Sequence, residues 1–240
     1  MAPVILKELF EIDDSVPLVG YDSPSGKAFA CKNLGEPQGD LMAMICEPSI
    51  PMRMDQITAL DEFPGAGLVK CIDSGVVNWA SSGRRQPVLI FEKPAGSRVF
   101  ETMESVITPL TDDQIISGFL TPAVATLREF SARGLTHRNI RPSNLFYSDE
   151  SARLIMLGEC VSAPPGYNQP LIFESLECGL AVETGRGAGT PADDLFALGV
   201  TLLSLLIGRN PVPQIDDPYT FMLNRINTGS YANIVGNHRI

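Results

Sequence analysis

The chain has 240 residues and a formal net charge of −10, from 28 Asp and Glu against 18 Lys and Arg, which argues against a nucleic-acid partner. A hydrophobic share of 44% is enough to build a sizeable core in one large domain or two small lobes, and it excludes global disorder. Five cysteines with no C-x-x-C pair and only two histidines exclude a disulfide framework or a structural zinc site, and place the protein in a reducing, cytoplasmic setting.

Residues 1–12 lack the basic-then-apolar order of a signal peptide. The longest strongly apolar stretch, 195–207, falls well short of the roughly 20 residues that span a bilayer, so no membrane association is expected. In chain order, residues 28–31, 41–46, 67–72 and 88–91 read as short strands, each an apolar run bounded by Gly, Pro, Asp or Ser. One helix is expected over 52–60, where Met54, Ile57 and Leu60 share a face. Residues 78–86 read as an inserted loop, with Trp79 as a packing anchor and Arg84 and Arg85 solvated. Residues 1–93 are thus expected to form a small antiparallel β lobe with one helix.

The pattern changes after Gly96. Ile115, Ile116, Phe119, Leu120, Val124, Leu127 and Phe130 recur at spacings of three and four behind Asp112 and Asp113, which predicts a long buried helix ending near Gly134. Residues 144–147 and 154–157 read as a hairpin across the turn 148–151, and the Pro- and Gly-rich stretch 164–191 as irregular. A second core helix is expected over 191–208 and a weaker amphipathic one over 218–227. Strands followed by helices give an α+β protein of two lobes, the second mainly helical over 94–240.

The sharpest local string is His137-Arg138-Asn139-Ile140-Arg141-Pro142-Ser143-Asn144. It closely resembles the catalytic loop of protein kinases, H-R-D-x-K-P-x-N. His137, Arg138, Pro142 and Asn144 match, Arg141 replaces a lysine, and Asn139 stands where the family has its aspartate. Upstream, the strand 88–91 followed by Glu92, Lys93 and Pro94 resembles the end of the kinase small lobe and its hinge. Downstream, Asp194-Leu195-Phe196-Ala197-Leu198-Gly199-Val200 resembles the family's large-lobe helix D-x-W-S-L-G-V. The resemblance extends over residues 15–235 and implies a bilobal protein-kinase-like fold. It also implies that Asp194 accepts backbone amides of the catalytic loop, beside an ordinary role as a helix cap.

The same resemblance places departures where phosphoryl transfer needs charge. Leu157 stands at the metal-binding aspartate of D-F-G, and leucine offers magnesium no oxygen; Glu159, two residues on, is the one nearby carboxylate. Asn139 can hold a hydroxyl but cannot take its proton. The phosphate lysine has two candidate positions. It is Cys46 if 43–46 is the family's V-A-I-K strand and Lys32 if 30–32 is, and the helix that closely follows Cys46 favours the first. That helix has only Asp55 as an acid, so the usual glutamate partner is missing as well. Residues 20–26 carry two glycines around Asp22 and Pro24, and read as a strand turn rather than a phosphate loop.

A nucleotide cleft on this pattern would be lined by Cys46 or Lys32, Glu92 and Asn144, with ATP as its one candidate ligand; no metal and no resident cofactor are expected. Glu174 stands faintly like the glutamate of the family's A-P-E motif, whose arginine partner is expected near the end of a complete large lobe. Two further helices of the family are not represented, so the sequence is expected to be part of a longer polypeptide. Cys160 reads as structural, because the neighbouring carboxylate of Glu159 raises a thiol pKa. The implied function is a pseudokinase, a regulatory module that binds protein partners, with residues 162–187 as the candidate surface. Two expectations compete with it: an atypical phosphotransferase that uses Glu159 or Lys32, and a metal-independent nucleotide sensor.

Overall fold

The computed structural model describes residues 3–35, 39–61, 63, 65, 67–212 and 215–228. Six antiparallel strands make the first lobe: β1 (Val4–Leu6), β2 (Phe10–Pro17), β3 (Gly26–Asn33), β4 (Leu41–Cys46), β5 (Cys71–Trp79) and β6 (Arg84–Glu92), in the order β1-β2-β3-β4-β6-β5. The helix α1 (Met54–Ala59) lies between β4 and β5 in the chain. The two outer strands curl toward each other, so that Leu6 of β1 presses on Gly75 of β5 and Lys7 pairs with Asp73.

The central strand β4 is buried on both faces, which explains why its sequence reads as a continuous apolar run. Successive side chains of a strand point to opposite faces. Ala43 and Ile45 therefore join Ile12, Trp79, Val88 and Ile90 in a core confined to this lobe. Met42, Met44 and Cys46 instead enter a second core that continues through Leu157 into the large lobe.

Several sequence expectations are corrected here. The strands β1 and β2 lack a clear periodic signal, since β2 buries only Phe10 and Ile12. The strand expected over 67–72 begins at Cys71; Leu68 and Val69 serve the other lobe, where the Val69 amide donates to the Leu157 carbonyl at 2.8 Å. No inserted loop occupies 78–86, because β5 runs to Trp79 and β6 starts at Arg84, although Trp79 is the anchor expected, 4.7 Å from the Phe29 ring. On α1, Met54 is half exposed and Gln56 is buried instead, because the catalytic loop supplies partners for its amide.

In the second lobe, Thr111 and Gln114 cap the start of a helix reciprocally. Its first part, Gln114–Leu120, is a π-helix that passes into α2 (Thr121–Ala132). The sequence pattern predicts a plain α-helix here, and Pro122 explains the difference. Proline has no N–H to return to the Gly118 carbonyl one turn earlier, and just before it the Thr121 amide and hydroxyl both go to the Ile116 carbonyl five residues back, the hydroxyl at 2.8 Å. Past α2, Gly134 takes the left-handed conformation expected of it, with φ +70°.

A short hairpin follows, β7 (Leu145–Tyr147) and β8 (Ile155–Leu157), in the register Leu145↔Leu157. The stretch expected to be irregular contains three short turns of helix, of which α3 (Leu176–Gly179) is one. The core helix α4 (Pro191–Ile207) opens on a capping box between Thr190 and Asp193 and ends at Gly208, φ +72°. The last described helix is α5 (Pro218–Thr228); residues 229–240 of the expected second lobe lie outside the described residues. Among the described residues no helix is long and apolar enough to cross a membrane.

Candidate functional site

Residues 136–144, between α2 and β7, meet residues 157–162 beneath the sheet. Asp194, in the first turn of α4, fixes this segment from behind. Its two carboxylate oxygens accept the backbone amides of His137 and Arg138, each at 2.7 Å. This is the acceptor role implied for it, and the cap itself is left to Thr190 and Asp193. Burial raises the Asp194 pKa, against the pull of the two amides. Arg138 has φ +57°, a left-handed conformation that costs a non-glycine residue of order 1 kcal/mol and persists only where its surroundings hold it.

The His137 ring is fully buried. Its Nε2 lies 3.1 Å from the Gly158 carbonyl and so carries the proton, while Nδ1 accepts the Asn139 amide at 3.3 Å. Desolvation holds its pKa down to about 3, so the imidazole is neutral at physiological pH. His137 is thus a structural bridge between the catalytic loop and the strand end at Leu157.

Asn139, the residue at the base position, faces inward. Its amide donates to the Glu159 carbonyl at 2.9 Å and to the Glu159 carboxylate at 3.3 Å, and its oxygen receives Arg141 Nη1. Asn144 donates to the Asn139 and Glu159 carbonyls, at 2.8 and 2.9 Å. Its amide oxygen abuts Gly158, where an added Cβ would lie 2.1 Å from it. Arg141, fully buried, also reaches Ser143 at 3.1 Å, and burial draws its pKa down to about 10 although Glu159 opposes the shift.

The Glu159 carboxylate closes the turn that follows it. It accepts the amides of Val161 and Ser162, both at 2.9 Å, and the Ser162 hydroxyl at 2.7 Å. Leu157 is fully buried, paired through the backbone to Leu145 on one side and bridged to Leu68 on the other. No group of three or more potential metal-ligating side chains occurs among the described residues. The side chains of Asn139, Asn144 and Glu159 hydrogen-bond to one another or to the backbone beside them, and Leu157 at the metal position offers no polar atom.

The two candidates for the lysine position sit differently in the sheet. Cys46 ends β4, separated from α1 by residues 47–53, and packs into the core shared by the two lobes; burial raises its thiol pKa, and the Glu159 carboxylate adds to the rise. Lys32 is on β3, opposite Glu11 in the register, with its side chain 64% exposed and ion-paired to that residue at 2.7 Å. Its ammonium is thus engaged at the lobe surface, whereas Cys46 joins the core shared by the two lobes. Glu92 is exposed at the end of β6. Cys160 is buried, with its pKa pushed up by desolvation to about 12, as a structural thiol requires.

Two residues of the site carry no sequence signal. Arg53 donates to the carbonyls of Thr136, His137 and Cys160 at 2.9–3.0 Å, and Gln56 donates to Thr136 at 3.0 Å and to the Cys160 sulfur at 3.2 Å. Together they tie α1 to the catalytic loop by neutral carbonyl contacts, in the region where the family pattern has a lysine–glutamate pair. Arg225 of α5 donates to the Glu174 backbone carbonyl at 2.9 Å, and the Glu174 side chain has partners nearer in the chain. It pairs at 2.8 Å with Arg138, both side chains fully buried, and Arg186 approaches to 3.7 Å.

Comparison with known proteins agrees with this architecture. No family model matches the chain. A stretch of 135 residues is 27% identical to human ribosomal protein S6 kinase alpha-2, covering 50% of this chain and 18% of that kinase. Among solved structures, Rad53 residues 1–466 in complex with AMP-PNP superpose with a TM-score of 0.63 at 12% identity, over 95% of this chain and 56% of that one. The Mycobacterium tuberculosis PknI kinase domain gives 0.62 at 17% identity, over 88% and 79%. The autoinhibited kinase domain of titin gives 0.62 at 17% identity, over 98% and 72%. The chain has the bilobal protein-kinase fold, α+β, and spans just over half of the Rad53 chain and about a fifth of the human kinase.

Proposed function

We propose that this chain is a pseudokinase: a kinase fold that does not transfer phosphate and acts as a regulatory module for protein partners. The observation that carries the reading is the mutual satisfaction of Asn139, Asn144 and Glu159 below a buried Leu157, with Cys46 in the lysine position. Phosphoryl transfer depends on positioned charge and a metal. A neutral amide at the base, a hydrocarbon at the metal ligand and a thiol at the phosphate cation supply neither. Glu159 is a poor substitute ligand, since a metal would have to displace two amides and a hydroxyl from its carboxylate.

The partner surface is assigned to residues 162–187, where Leu180 and Val182 are both more than half exposed on a segment anchored by Arg186 to the Gly166 and Gln169 carbonyls. Five free thiols support a reducing, cytoplasmic location. The test is a transfer assay with γ-labelled ATP and magnesium on wild type and Asn144→Ala. The expected result is no label on the chain or on generic substrates; transfer abolished by Asn144→Ala would overturn the reading.

A further inference from the structure

Residues 18–25, between β2 and β3, run Leu-Val-Gly-Tyr-Asp-Ser-Pro-Ser. They fold as a short 3₁₀ turn, Val19–Tyr21, with Val19 and Gly20 exposed and Tyr21 turned inward onto the core shared by the two lobes. The Tyr21 hydroxyl lies 2.9 Å from the Pro94 carbonyl and 3.2 Å from the Gly96 carbonyl, so one proton is shared between two acceptors on the segment that joins the lobes. The ring lies parallel to that of Phe146 in β7, centroids 5.5 Å apart and planes 5° apart. The Lys93 ammonium sits 5.7 Å from the Tyr21 centroid.

Two further attachments hold the segment down. Arg98, stacked 5.1 Å over Phe146, donates to the Asp22 carbonyl at 2.6 Å. At the far end Ser25 bonds Ser162 at 2.6 Å and Asn168 at 3.0 Å. Three separate points of the small lobe's loop are therefore fastened to the large lobe or the segment between them. At the first of them, Tyr21, a flat ring with a single hydrogen-bond donor fills a slot made of two carbonyl acceptors and an aromatic floor.

We infer that residues 18–25 form a latch and that Tyr21 is the resident internal ligand of the cleft between the lobes. The slot is chemically complete, so an external ligand of the same description, a flat heteroaromatic ring with an N–H donor, competes with Tyr21 for the Pro94 and Gly96 carbonyls and the Phe146 face. This holds whether or not transfer chemistry is lost.

The test compares wild type, Tyr21→Phe, Tyr21→Ala and the exposed control Val19→Ala, with adenosine as the probe. In wild type and Val19→Ala, millimolar adenosine leaves the melting temperature unchanged; in Tyr21→Ala it raises it by about 3 °C or more. Hydrogen exchange of the amides in 18–25 accelerates roughly tenfold in Tyr21→Phe, which keeps the ring and loses one hydrogen bond, and further in Tyr21→Ala. An equal adenosine shift in wild type, or none in folded Tyr21→Ala, overturns the ligand slot. Unchanged exchange in Tyr21→Phe overturns the latch, and that readout stands if Tyr21→Ala does not fold. Phosphate transfer by Tyr21→Ala would refute the pseudokinase reading and leave the latch intact.

Discussion

Behind the catalytic loop, around Asp194, the chain is held by charge: a carboxylate gathers two amides, and Arg138 and Glu174 meet with both side chains out of water. In front of the loop, at Leu157 and Cys46, the cleft side is hydrocarbon and thiol continuous with the main core. Both regions are buried, yet in the second the Glu159 carboxylate and the Arg141 guanidinium are turned onto the loop's own amides and side chains rather than toward a ligand. The difference separates two uses of charge in this fold. Ionised groups that position backbone are needed to form the loop at all. Those that would meet a ligand are dispensable for folding, and apolar side chains in their place add burial worth roughly 25 cal/mol per Å².

The harshest way to break this contrast is Leu157→Asp. A carboxylate placed in a fully buried apolar site without partners is expected to cost about 4 kcal/mol or more, read as a drop in the urea unfolding midpoint. If the variant keeps wild-type stability and gains magnesium-dependent stabilisation by ATP, the front region is a dormant site rather than a core. Slightly smaller is Asp194→Ala, which orphans two buried amides; about 3 kcal/mol is expected, with Asp194→Asn intermediate. An effect under about 0.5 kcal/mol would mean that the rear region is not held by charge.

The pH dependence sharpens the same point. The folded-state pKa of His137 is lowered from 6.5 to about 3, so the unfolded chain binds a proton that the folded one refuses. Stability is therefore full above pH 6.5 and is lost as pH falls toward about 3, by about 2 kcal/mol between pH 7 and pH 5. The raised pKa values of Asp194 and Glu174 act in the opposite sense, favouring the folded state as pH falls. Comparing the pH 7 and pH 5 urea midpoints of wild type with those of His137→Gln isolates the histidine; an unchanged slope would show that the ring is hydrated. The smallest effect expected is that of Lys32→Ala. The exposed Lys32 ammonium makes a screened surface pair with the partly buried Glu11, and the midpoint should not move.

The sequence made the fold legible where burial is complete or a motif is intact. β4 and α4 read correctly because one is apolar on both faces and the other combines a proline start with a glycine stop. The loop from His137 to Asn144 read correctly because its neighbours repeat in order. β1 and β2 were hidden, since acidic residues at 8, 11, 13 and 14 blur the alternation that their few buried side chains would have produced. The π-helical turn was masked by a good helical period, although Pro122 stood in plain view. At the site, Leu157 and Asn139 could be placed by alignment with a motif and Cys46 only as one of two alternatives with Lys32, whereas Arg53, Gln56 and Tyr21 could not. Their roles arise from carbonyl groups distant in sequence, and a carbonyl leaves no mark on the residue types that surround it.

The closing of the sheet by its first strand bears on how the protein is made. β1 meets β5 through Leu6 and Gly75, and Lys7 waits for Asp73. On a ribosome residues 4–7 emerge before residues 71–79, so β1 waits for the side chains of β5 while most of the first lobe is translated. Over that interval Val4 and Leu6 lack the cover of β5, and loop closure between such distant partners is slow. Chaperone demand during synthesis should therefore depend on residues 4–7 more than their small share of the finished core implies.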